Sequence, residues 1–230
     1  MLKAMRNKSI LLVIALVTVS VAAQQPKPLA VSLGQPVPND DRGQAFILER
    51  DLAPLSHLPG PRKGVISEPQ QYSIFAGSNW ANSDLAERET KLAHLLMNVT
   101  DESELSALQD AGIKNRFGFT INVERPDLTN QNLCDLDLQR MLASMLAEGS
   151  LPKPNHATIY VVFLDASLRS TLGELAAGKH YAAYYGAFNT GGANVRYVVV
   201  PWESDAAAGY HIALRAFVGA ALKRATALAK

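Results

Sequence analysis

The sequence predicts a single α/β domain in which a mixed β-sheet is covered by helices. The first observation is the run at residues 157–164, whose β-branched and aromatic side chains are typical of a strand buried on both faces. The second is that leucine-rich segments with helical spacing precede and follow this run, and strands interleaved with helices are the pattern of α/β domains. The third is Asn189-Thr190-Gly191-Gly192, a hairpin turn signal between two further strands.

The first 23 residues are predicted to be a signal peptide. Basic residues open the chain: Lys3, Arg6 and Lys8. An apolar run at residues 10–19 follows, and small residues place cleavage between Ala23 and Gln24. This run is shorter than the about 20 apolar residues that a membrane span needs, so we expect no stable span after cleavage, with an uncleaved anchor as the alternative. The protein is therefore expected to be secreted or periplasmic.

Residues 24–69 are predicted to be a proline-rich lead-in that is extended and partly disordered. They carry eight of the twelve prolines in the chain. Proline removes a hydrogen-bond donor and disfavours both helices and central strands. The apolar patch at residues 46–52 is a candidate to dock on the domain that follows.

Residues 70–230 are predicted to form the folded domain. Strands are expected at residues 72–76, 117–123, 157–164, 180–188 and 195–201. Helices are expected at residues 82–98, 101–112, 130–148 and 205–229. The helix starts are marked by residues that cap well: Asn82 or Ser83, Thr100 or Asp101, Thr129 or Asn130, and Asp205.

Composition and charge exclude several classes of function. The apolar fraction of 48% and the charged fraction of 19% are ordinary for a folded protein. A net charge of +1 without a cluster of Lys and Arg disfavours binding to phosphate backbones, so no nucleic acid partner is expected. The single cysteine, Cys134, cannot form an internal disulfide and has an acidic neighbour. We expect it to be a small apolar helix residue and not a nucleophile.

The sequence contains no motif for a serine nucleophile, a dinucleotide or a phosphate-binding loop. Asp135 and Asp137 lie two apart on a predicted helix and face different ways, so both are expected to be solvated. In an HExxH helix two histidines hold zinc and the glutamate activates water. His211 takes the first position, but Ile212 and Arg215 replace the glutamate and the second histidine. We therefore expect no metal, no cofactor and no catalytic residue.

From about residue 64 onward, six short blocks occur in a particular order. They are Gly64-Val65-Ile66, Ile74-Phe75-Ala76-Gly77-Ser78-Asn79-Trp80, Gly149-Ser150-Leu151-Pro152-Lys153-Pro154, Tyr160-Val161-Val162-Phe163-Leu164, Tyr181-Ala182-Ala183-Tyr184-Tyr185-Gly186-Ala187-Phe188 and Tyr197-Val198-Val199-Val200-Pro201. This order resembles the EXORDIUM, or phosphate-induced protein, family of secreted proteins and its bacterial relatives. The resemblance implies export, a metallopeptidase-like scaffold and a role in growth or cell-surface processes.

The chain departs from that family at the positions that carry chemistry. Members usually have a Phe-Cys-x-Tyr-His block and a Ser-His-Glu-Leu helix. Here Ala182 stands at the cysteine position, Tyr185 at the histidine position and Ile212 at the glutamate position. The resemblance thus implies the scaffold, but of a metal-type site it leaves only His211.

Two functions from different classes follow. The first is a secreted, non-catalytic α/β protein that binds a small ligand or a cell-envelope partner, because the His-Glu pair is substituted. The alternative is a divergent metallopeptidase-like hydrolase that uses His211. Candidate ligand-binding residues are Trp80, Tyr185 and His211, which the resemblance places near strand ends and a helix start, where α/β folds bind ligands. For the two aromatic residues, a place in the hydrophobic core is the alternative.

Overall fold

The computed structural model describes residues 35–38, 43–48, 55, 58, 64–114, 122–125, 127–128 and 131–222. Ten strands lie in this part: β1 (Gln35–Pro38), β2 (Gly43–Leu48), β3 (Gln70–Ala76), β4 (Asn122–Arg125), β5 (Asn132–Cys134), β6 (Thr158–Leu164), β7 (Arg169–Leu172), β8 (Leu175–Ala176), β9 (Ala183–Thr190) and β10 (Ala193–Val200). The four α-helices are α1 (Ala86–Ala93), α2 (Glu102–Asp110), α3 (Asp135–Ala147) and α4 (Ala206–Leu222). The signal-peptide prediction falls on residues outside the described part.

The main sheet is mixed, as the sequence predicts, and has seven strands in the order β1-β2-β9-β10-β6-β3-β4. Strands β10, β6, β3 and β4 run parallel to one another, whereas β1, β2, β9 and β10 are joined by antiparallel pairs. A second, small sheet contains β5, β7 and β8.

Strand β6 confirms the prediction of a strand buried on both faces, since all seven of its residues are buried. Successive side chains of a strand point to opposite faces of the sheet. Val161 and Phe163 therefore pack in a layer with α1 and α4, while Tyr160 and Val162 pack with α3 and the small sheet. The domain consists of a central sheet with a hydrophobic layer on each face.

The Gly-Gly hairpin is also confirmed. Strands β9 and β10 pair in antiparallel register across a turn in which Gly191 and Gly192 have φ of 56° and 77°. Two consecutive residues with positive φ match the twist of a two-residue hairpin, and glycine adopts this conformation without steric cost. Two predicted helix caps are present as well: the Asp101 and Asp205 carboxylates accept hydrogen bonds from the backbone N–H groups of Glu104 and Ala208.

Strands β1 and β2 come from the proline-rich lead-in, so the predicted boundary at residue 70 does not coincide with the edge of the fold. Residues 46–48 of the apolar patch dock in strand β2, where Phe46 pairs with Tyr185 of β9, and residues 49–52 lie outside the described part. Pro36 and Pro38 lie in β1, the edge strand, where the missing N–H of proline is tolerated.

The lead-in also contributes to the cover of α4. From Gly209 to Leu222 nearly every residue of this helix is buried, which is typical of a helix enclosed on all sides. Leu55 and Ile66 belong to the same hydrophobic cluster as α4. The Ile66 N–H also donates to the carbonyl oxygen of Ala221 at 2.9 Å. These described residues of the lead-in are therefore part of the core.

Helix α3 begins later than the sequence predicts. Residues 132–134 form β5, which pairs with β7, and Cys134 is the N-cap of the helix instead of a helix residue. The Asp137 carboxylate accepts a hydrogen bond from the Cys134 N–H at 3.1 Å, which is half of a capping box. Of the alternating strand predicted at residues 117–123, Val123 lies in β4 and residues 117–121 are outside the described part.

Among the helices that the structure describes, none combines the length and the apolar composition needed to cross a bilayer.

Candidate functional site

The carboxyl ends of β3 and β6 form the switch point of the sheet. After β3 the chain turns to the α4 face, where Trp80 is buried, and after β6 it turns to the α3 face, where Leu168 is buried. Ligands of open α/β sheets bind in the crevice that such a reversal creates. This edge is therefore where a ligand of the sheet is expected.

The switch point is occupied by the protein's own Asp165. This carboxylate is fully buried and accepts hydrogen bonds from the Asn79 N–H at 2.7 Å and from the N–H and hydroxyl of Ser167 at 2.8 and 2.6 Å. It lies against Gly77, whose φ of 115° only glycine adopts readily. The crevice between β3 and β6 is thus closed by a side chain that ties their two following loops together.

Trp80 stands beside this switch point but is a core residue. Only 4% of its surface is exposed, and its indole N–H donates to the Phe163 carbonyl oxygen at 3.2 Å. Its ring makes edge contacts with Phe75 and Trp202, with centroids 5.0 and 5.7 Å apart. The guanidinium of Arg88 covers the Trp202 ring at 4.0 Å. The stack leaves no open face of Trp80 for a ligand.

Tyr185 is likewise buried, with 2% of its surface exposed. Its ring stacks on Phe46 at 5.5 Å and packs against Gly219 of α4. A Cβ at Gly219 would come within 2.7 Å of the Tyr185 ring, so the glycine allows the helix to approach the sheet. Burial raises the pKa of this phenol. Tyr185 fills the interface between β9 and α4.

His211 is exposed on α4 and does not share a surface with Trp80 or Tyr185. Its Nδ1 atom lies 4.0 Å from Oε1 of Glu104 on α2, and 57% of its side chain is exposed. One turn later Arg215 is buried, and this burial lowers its pKa against the opposing effect of Glu104. Within the described residues, no three His, Cys, Asp or Glu side chains converge to hold a metal ion.

A concave site on the described surface is a cleft of about 820 Å³ between β4 and α3. Its apolar lining consists of Val123, Leu128, Leu133, Leu138, Met141 and Met145. Its polar lining consists of Glu124, Arg125, Gln131, Asn132, Asp137, Arg140, Ser144, Glu148 and Ser150. Small-molecule sites are commonly clefts of ~300–1,000 Å³ with a mainly apolar lining, whereas nine of the fifteen lining residues of this cleft are polar.

Several charged groups of this cleft are held in pairs. The Arg125 guanidinium donates through Nε and Nη2 to the two carboxylate oxygens of Asp127, both at 2.8 Å. This pairing lowers the pKa of Asp127 and raises that of Arg125. Arg140 Nη1 lies 3.9 Å from Asp137 Oδ1, and the Ser144 hydroxyl donates to Glu148 at 2.5 Å. Glu124 is exposed and is paired with no cation among the described residues, so the lining carries three carboxylates beside two guanidinium groups.

The sequence predicts the apolar residues at the bottom of this cleft, but it does not predict that a cleft exists there. Leu138, Met141 and Met145 belong to the apolar stripe that predicts helix α3. Helical spacing identifies the buried face of a helix, but it does not tell how much of that face the neighbouring strand covers. The signal that was available is that β4 combines Val123 with the charged residues Glu124 and Arg125, which suits an edge strand.

A buried polar network lies at the start of α3, where solvated aspartates were expected. That expectation is wrong for Asp135, which is only 3% exposed. Its carboxylate accepts hydrogen bonds from the Tyr197 hydroxyl and the Gln139 amide, both at 2.7 Å. The fully buried hydroxyl of Tyr184 lies close to this carboxylate but makes no hydrogen bond of good geometry within the described residues. Burial first and the nearby Asp135 charge next raise the pKa of Tyr184 well above the ordinary value.

Cys134 has the character of an inert thiol. Burial raises its pKa, and the neighbouring Asp137 carboxylate adds to this effect. A thiolate is the nucleophilic form of cysteine, so a raised pKa disfavours reactivity.

Comparison of this chain with models of protein families, with curated proteins and with solved structures gave no match.

Proposed function

We propose that this protein is an exported, non-catalytic α/β protein that binds a small ligand in the cleft between β4 and α3. The observation that carries the proposal is the cleft itself, which combines a volume of about 820 Å³ with an apolar floor and a polar rim. Clefts of ~300–1,000 Å³ are the usual size of small-molecule sites in proteins.

The chemistry of the lining favours binding over catalysis. A hydrolytic site usually places a nucleophile within hydrogen-bond reach of a base that a third group orients. The described lining contains no histidine, its two arginines face carboxylates, and the neighbouring thiol of Cys134 has a raised pKa. These groups can orient a ligand but are poor donors or acceptors of a proton near neutral pH.

Export rests on the predicted signal peptide, and the metallopeptidase-like scaffold and the EXORDIUM resemblance stay predictions from sequence. A ligand from the cell envelope fits a protein placed outside the cytoplasm. Signal-peptide cleavage is tested by sequencing the N-terminus of the mature protein, which we expect to begin at Gln24.

Ligand binding in the cleft is tested by a fragment screen on the protein with isotope-labelled methionine methyl groups. Met141 and Met145 line the cleft, whereas Met97 lies outside it and is 37% exposed. We expect bound fragments to shift the first two methyl signals and not the third. The cleft is blocked by Ser144→Phe, with Ala147→Phe as a matched control on the same helix outside the lining. Equal binding by both variants would refute the site.

The hydrolase alternative has one observation in its favour. The exposed imidazole of His211 faces the Glu104 carboxylate at 4.0 Å, and a carboxylate beside a histidine is the arrangement that orients a general base. This function requires a peptidase or esterase activity that both His211→Ala and a chelator abolish. Hydrolysis that survives either treatment, or that is absent from the purified protein, contradicts it.

A further inference from the structure

We propose that the cleft between β4 and α3 binds a short extended peptide, which adds to the outer edge of β4 as a further strand and carries a basic side chain opposite Glu124. This inference rests on the proposed function and specifies the class of its ligand. It depends on three observations: β4 is an edge strand, the cleft lies beside that edge, and Glu124 has no cationic partner among the described residues.

The backbone of β4 is open on the side away from β3. Strand β4 is the last strand of the main sheet, and no described strand pairs with its outer side. The Arg125 carbonyl oxygen accepts a hydrogen bond from the Gly77 N–H at 3.0 Å, so Arg125 turns its backbone groups toward β3. Successive residues of a strand turn these groups to opposite sides, so the N–H and carbonyl groups of Glu124 point outward. These are the groups with which an added strand pairs.

The two edges of the main sheet are protected in different ways. The opposite edge strand, β1, contains Pro36 and Pro38, which lack the N–H that strand pairing needs. Strand β4 contains no proline, and its charged residues are Glu124 and Arg125. Charged residues on an edge discourage pairing with apolar strands. A strand of complementary charge is therefore the partner that suits β4.

The charge on one face of this edge favours a basic partner. Glu124 pairs with Phe75 of β3, which belongs to the layer of α1 and α4, so the Glu124 side chain lies on the α1 face. Burial first and the Glu124 charge next raise the pKa of Glu89 on α1. Neither of these two carboxylates has a cationic partner in the part of the chain that the structure describes. A ligand cation on this face would relieve the repulsion between them.

The other face of the edge supplies apolar contacts. Side chains of an added strand alternate between the two faces, so the neighbours of its basic residue point toward α3. Val123, Leu128 and Met141 line the cleft there and are half-buried, so part of each side chain is open to a ligand. Burial of aliphatic side chains against these three residues is favourable. The recognised sequence therefore places a basic residue between two apolar ones.

The test uses three pentapeptides with acetylated and amidated ends. The first is Thr-Val-Lys-Val-Thr, and the second has glutamate in place of lysine. The third is the lysine peptide with N-methyl groups on the lysine and on the residue after it, which removes the N–H that pairs with the Glu124 carbonyl oxygen in either strand direction. Each peptide is titrated into the protein while backbone amide and methionine methyl signals are recorded by NMR.

Binding should be visible on both sides of the β4 edge. We expect the lysine peptide to shift the amide signal of Glu124 and the methyl signal of Met141, and to leave that of Met97 unchanged. Hydrogen exchange of the Glu124 amide should slow, because its N–H gains a partner. The glutamate peptide and the N-methylated peptide should each bind about tenfold more weakly than the lysine peptide.

A single variant tests the role of the carboxylate. We expect Glu124→Gln to bind the lysine peptide about fivefold more weakly than the unaltered protein does, since the cross-strand charge pair is lost. Glu102→Gln removes the same charge at an exposed position of α2 outside the lining, so this control should leave all affinities unchanged. Equal binding of the lysine peptide by Glu124→Gln and by the unaltered protein overturns the role of Glu124.

The outcomes separate this inference from the proposed function. If the N-methylated peptide binds as tightly as the lysine peptide, strand addition is wrong, and if the glutamate peptide does so, the basic preference is wrong. If fragments shift Met141 but no peptide shifts the Glu124 amide, the inference fails and the cleft remains a binding site. If neither fragments nor peptides shift Met141, both proposals fail.

Discussion

The Asp165 carboxylate lies directly against the Cα atom of Gly77, so that a Cβ built on the glycine would come within 2.1 Å of the aspartate Cγ. The glycine has φ of 115° and ψ of 149°, a region essentially closed to other residues. The Gly77 N–H donates to the Arg125 carbonyl oxygen, and the Asp165 N–H donates to that of Ala76. The contact between Asp165 and Gly77, together with these two hydrogen bonds, therefore joins the carboxyl ends of the neighbouring strands β3, β4 and β6.

Gly77→Ala should be strongly destabilising. The new methyl group overlaps the Asp165 carboxylate, and the backbone conformation is unfavourable for alanine, so we expect a loss of about 3 kcal/mol in the free energy of unfolding. Gly173 also has positive φ, at 59°, but has nothing within 4 Å of its Cβ position. Gly173→Ala is therefore the control, with a loss of about 1 kcal/mol. Urea denaturation followed by circular dichroism measures both, and equal losses would contradict the contact.

Asp165→Asn should destabilise the protein by about 2 kcal/mol. Both carboxylate oxygens accept hydrogen bonds, from Asn79 and from Ser167, and an amide replaces one acceptor with a donor that faces another N–H or O–H group. Ser167→Ala removes only one hydroxyl donor and should cost about 1 kcal/mol. Denaturant midpoints that rank the two variants in the opposite order would show that the carboxylate is not the acceptor of both loops.

The sequence predicted the elements whose pattern is local and missed those that depend on distant partners. Strand β6 was predicted because its seven buried residues form a continuous apolar run. Strands β5, β7 and β8 have two to four residues each, too few for a periodic pattern. The burial of Asp135 could not be predicted from helical spacing because its partner, Tyr197, comes from a strand far along the chain.

The network around Asp135 gives a pair of tyrosine variants with opposite expectations. Tyr197→Phe removes the 2.7 Å hydrogen bond to the buried carboxylate and should cost about 2 kcal/mol. Tyr184→Phe removes a buried hydroxyl that makes no hydrogen bond of good geometry within the described residues, so stability should be unchanged or slightly higher. Both changes keep the ring, so packing is matched. Thermal and urea unfolding measure the stability of both variants. A large loss of stability in Tyr184→Phe would mean that the Tyr184 hydroxyl is hydrogen-bonded.

Alkaline pH should destabilise the fold through its buried phenols. Burial is the first cause that raises the pKa of Tyr160, Tyr181, Tyr184, Tyr185 and Tyr210, and that of Tyr181 is raised to about 12. The folded state therefore favours the protonated phenol. The stabilisation that this preference provides is complete at pH values below about 10, the pKa of tyrosine in the unfolded chain, and it is lost as the pH rises through the pKa values of the folded protein. Each phenol changes the stability by up to about 1.4 kcal/mol per pH unit in this window.

The measurement is a tyrosinate absorbance titration recorded beside near-ultraviolet circular dichroism. We expect a group of tyrosines to ionise together with the loss of tertiary structure and not before it. Tyr181→Phe should move the unfolding transition to higher pH. Ionisation of all tyrosines at their ordinary pKa in a protein that stays folded would contradict the burial.

Removal of the lead-in should prevent stable folding. A chain that begins at residue 70 lacks β2, which pairs with β9, and lacks Leu55 and Ile66, which are 1% and 6% exposed in the α4 cluster. We expect no cooperative unfolding transition for this chain, whereas a chain that begins at residue 24 unfolds cooperatively. A smaller change is Ile66→Ala, with a loss of about 3 kcal/mol, beside Met97→Ala at the surface, with a change near zero. Equal thermal midpoints for these two variants would show that the lead-in does not cover α4.

The candidate site was less predictable than the fold. Trp80 and Tyr185 are candidates for ligand binding from the sequence because aromatic residues near strand ends can either contact a ligand or fill the hydrophobic core. In the structure each of them is enclosed by its neighbours. Sequence shows which residues are apolar but not where two elements fail to meet. The cleft between β4 and α3 is such a gap, and only the three-dimensional arrangement reveals it.

Two long-range pairings also determine when the chain can fold during its synthesis. Ala45 pairs with Gly186, and Ile66 pairs with Ala221. A ribosome releases Ala45 and Ile66 long before their partners exist, and contacts between residues so distant in sequence form slowly. The contact of Ile66 with α4 cannot form until that helix has been synthesised. Throughout that interval the nascent polypeptide lacks a finished tertiary structure.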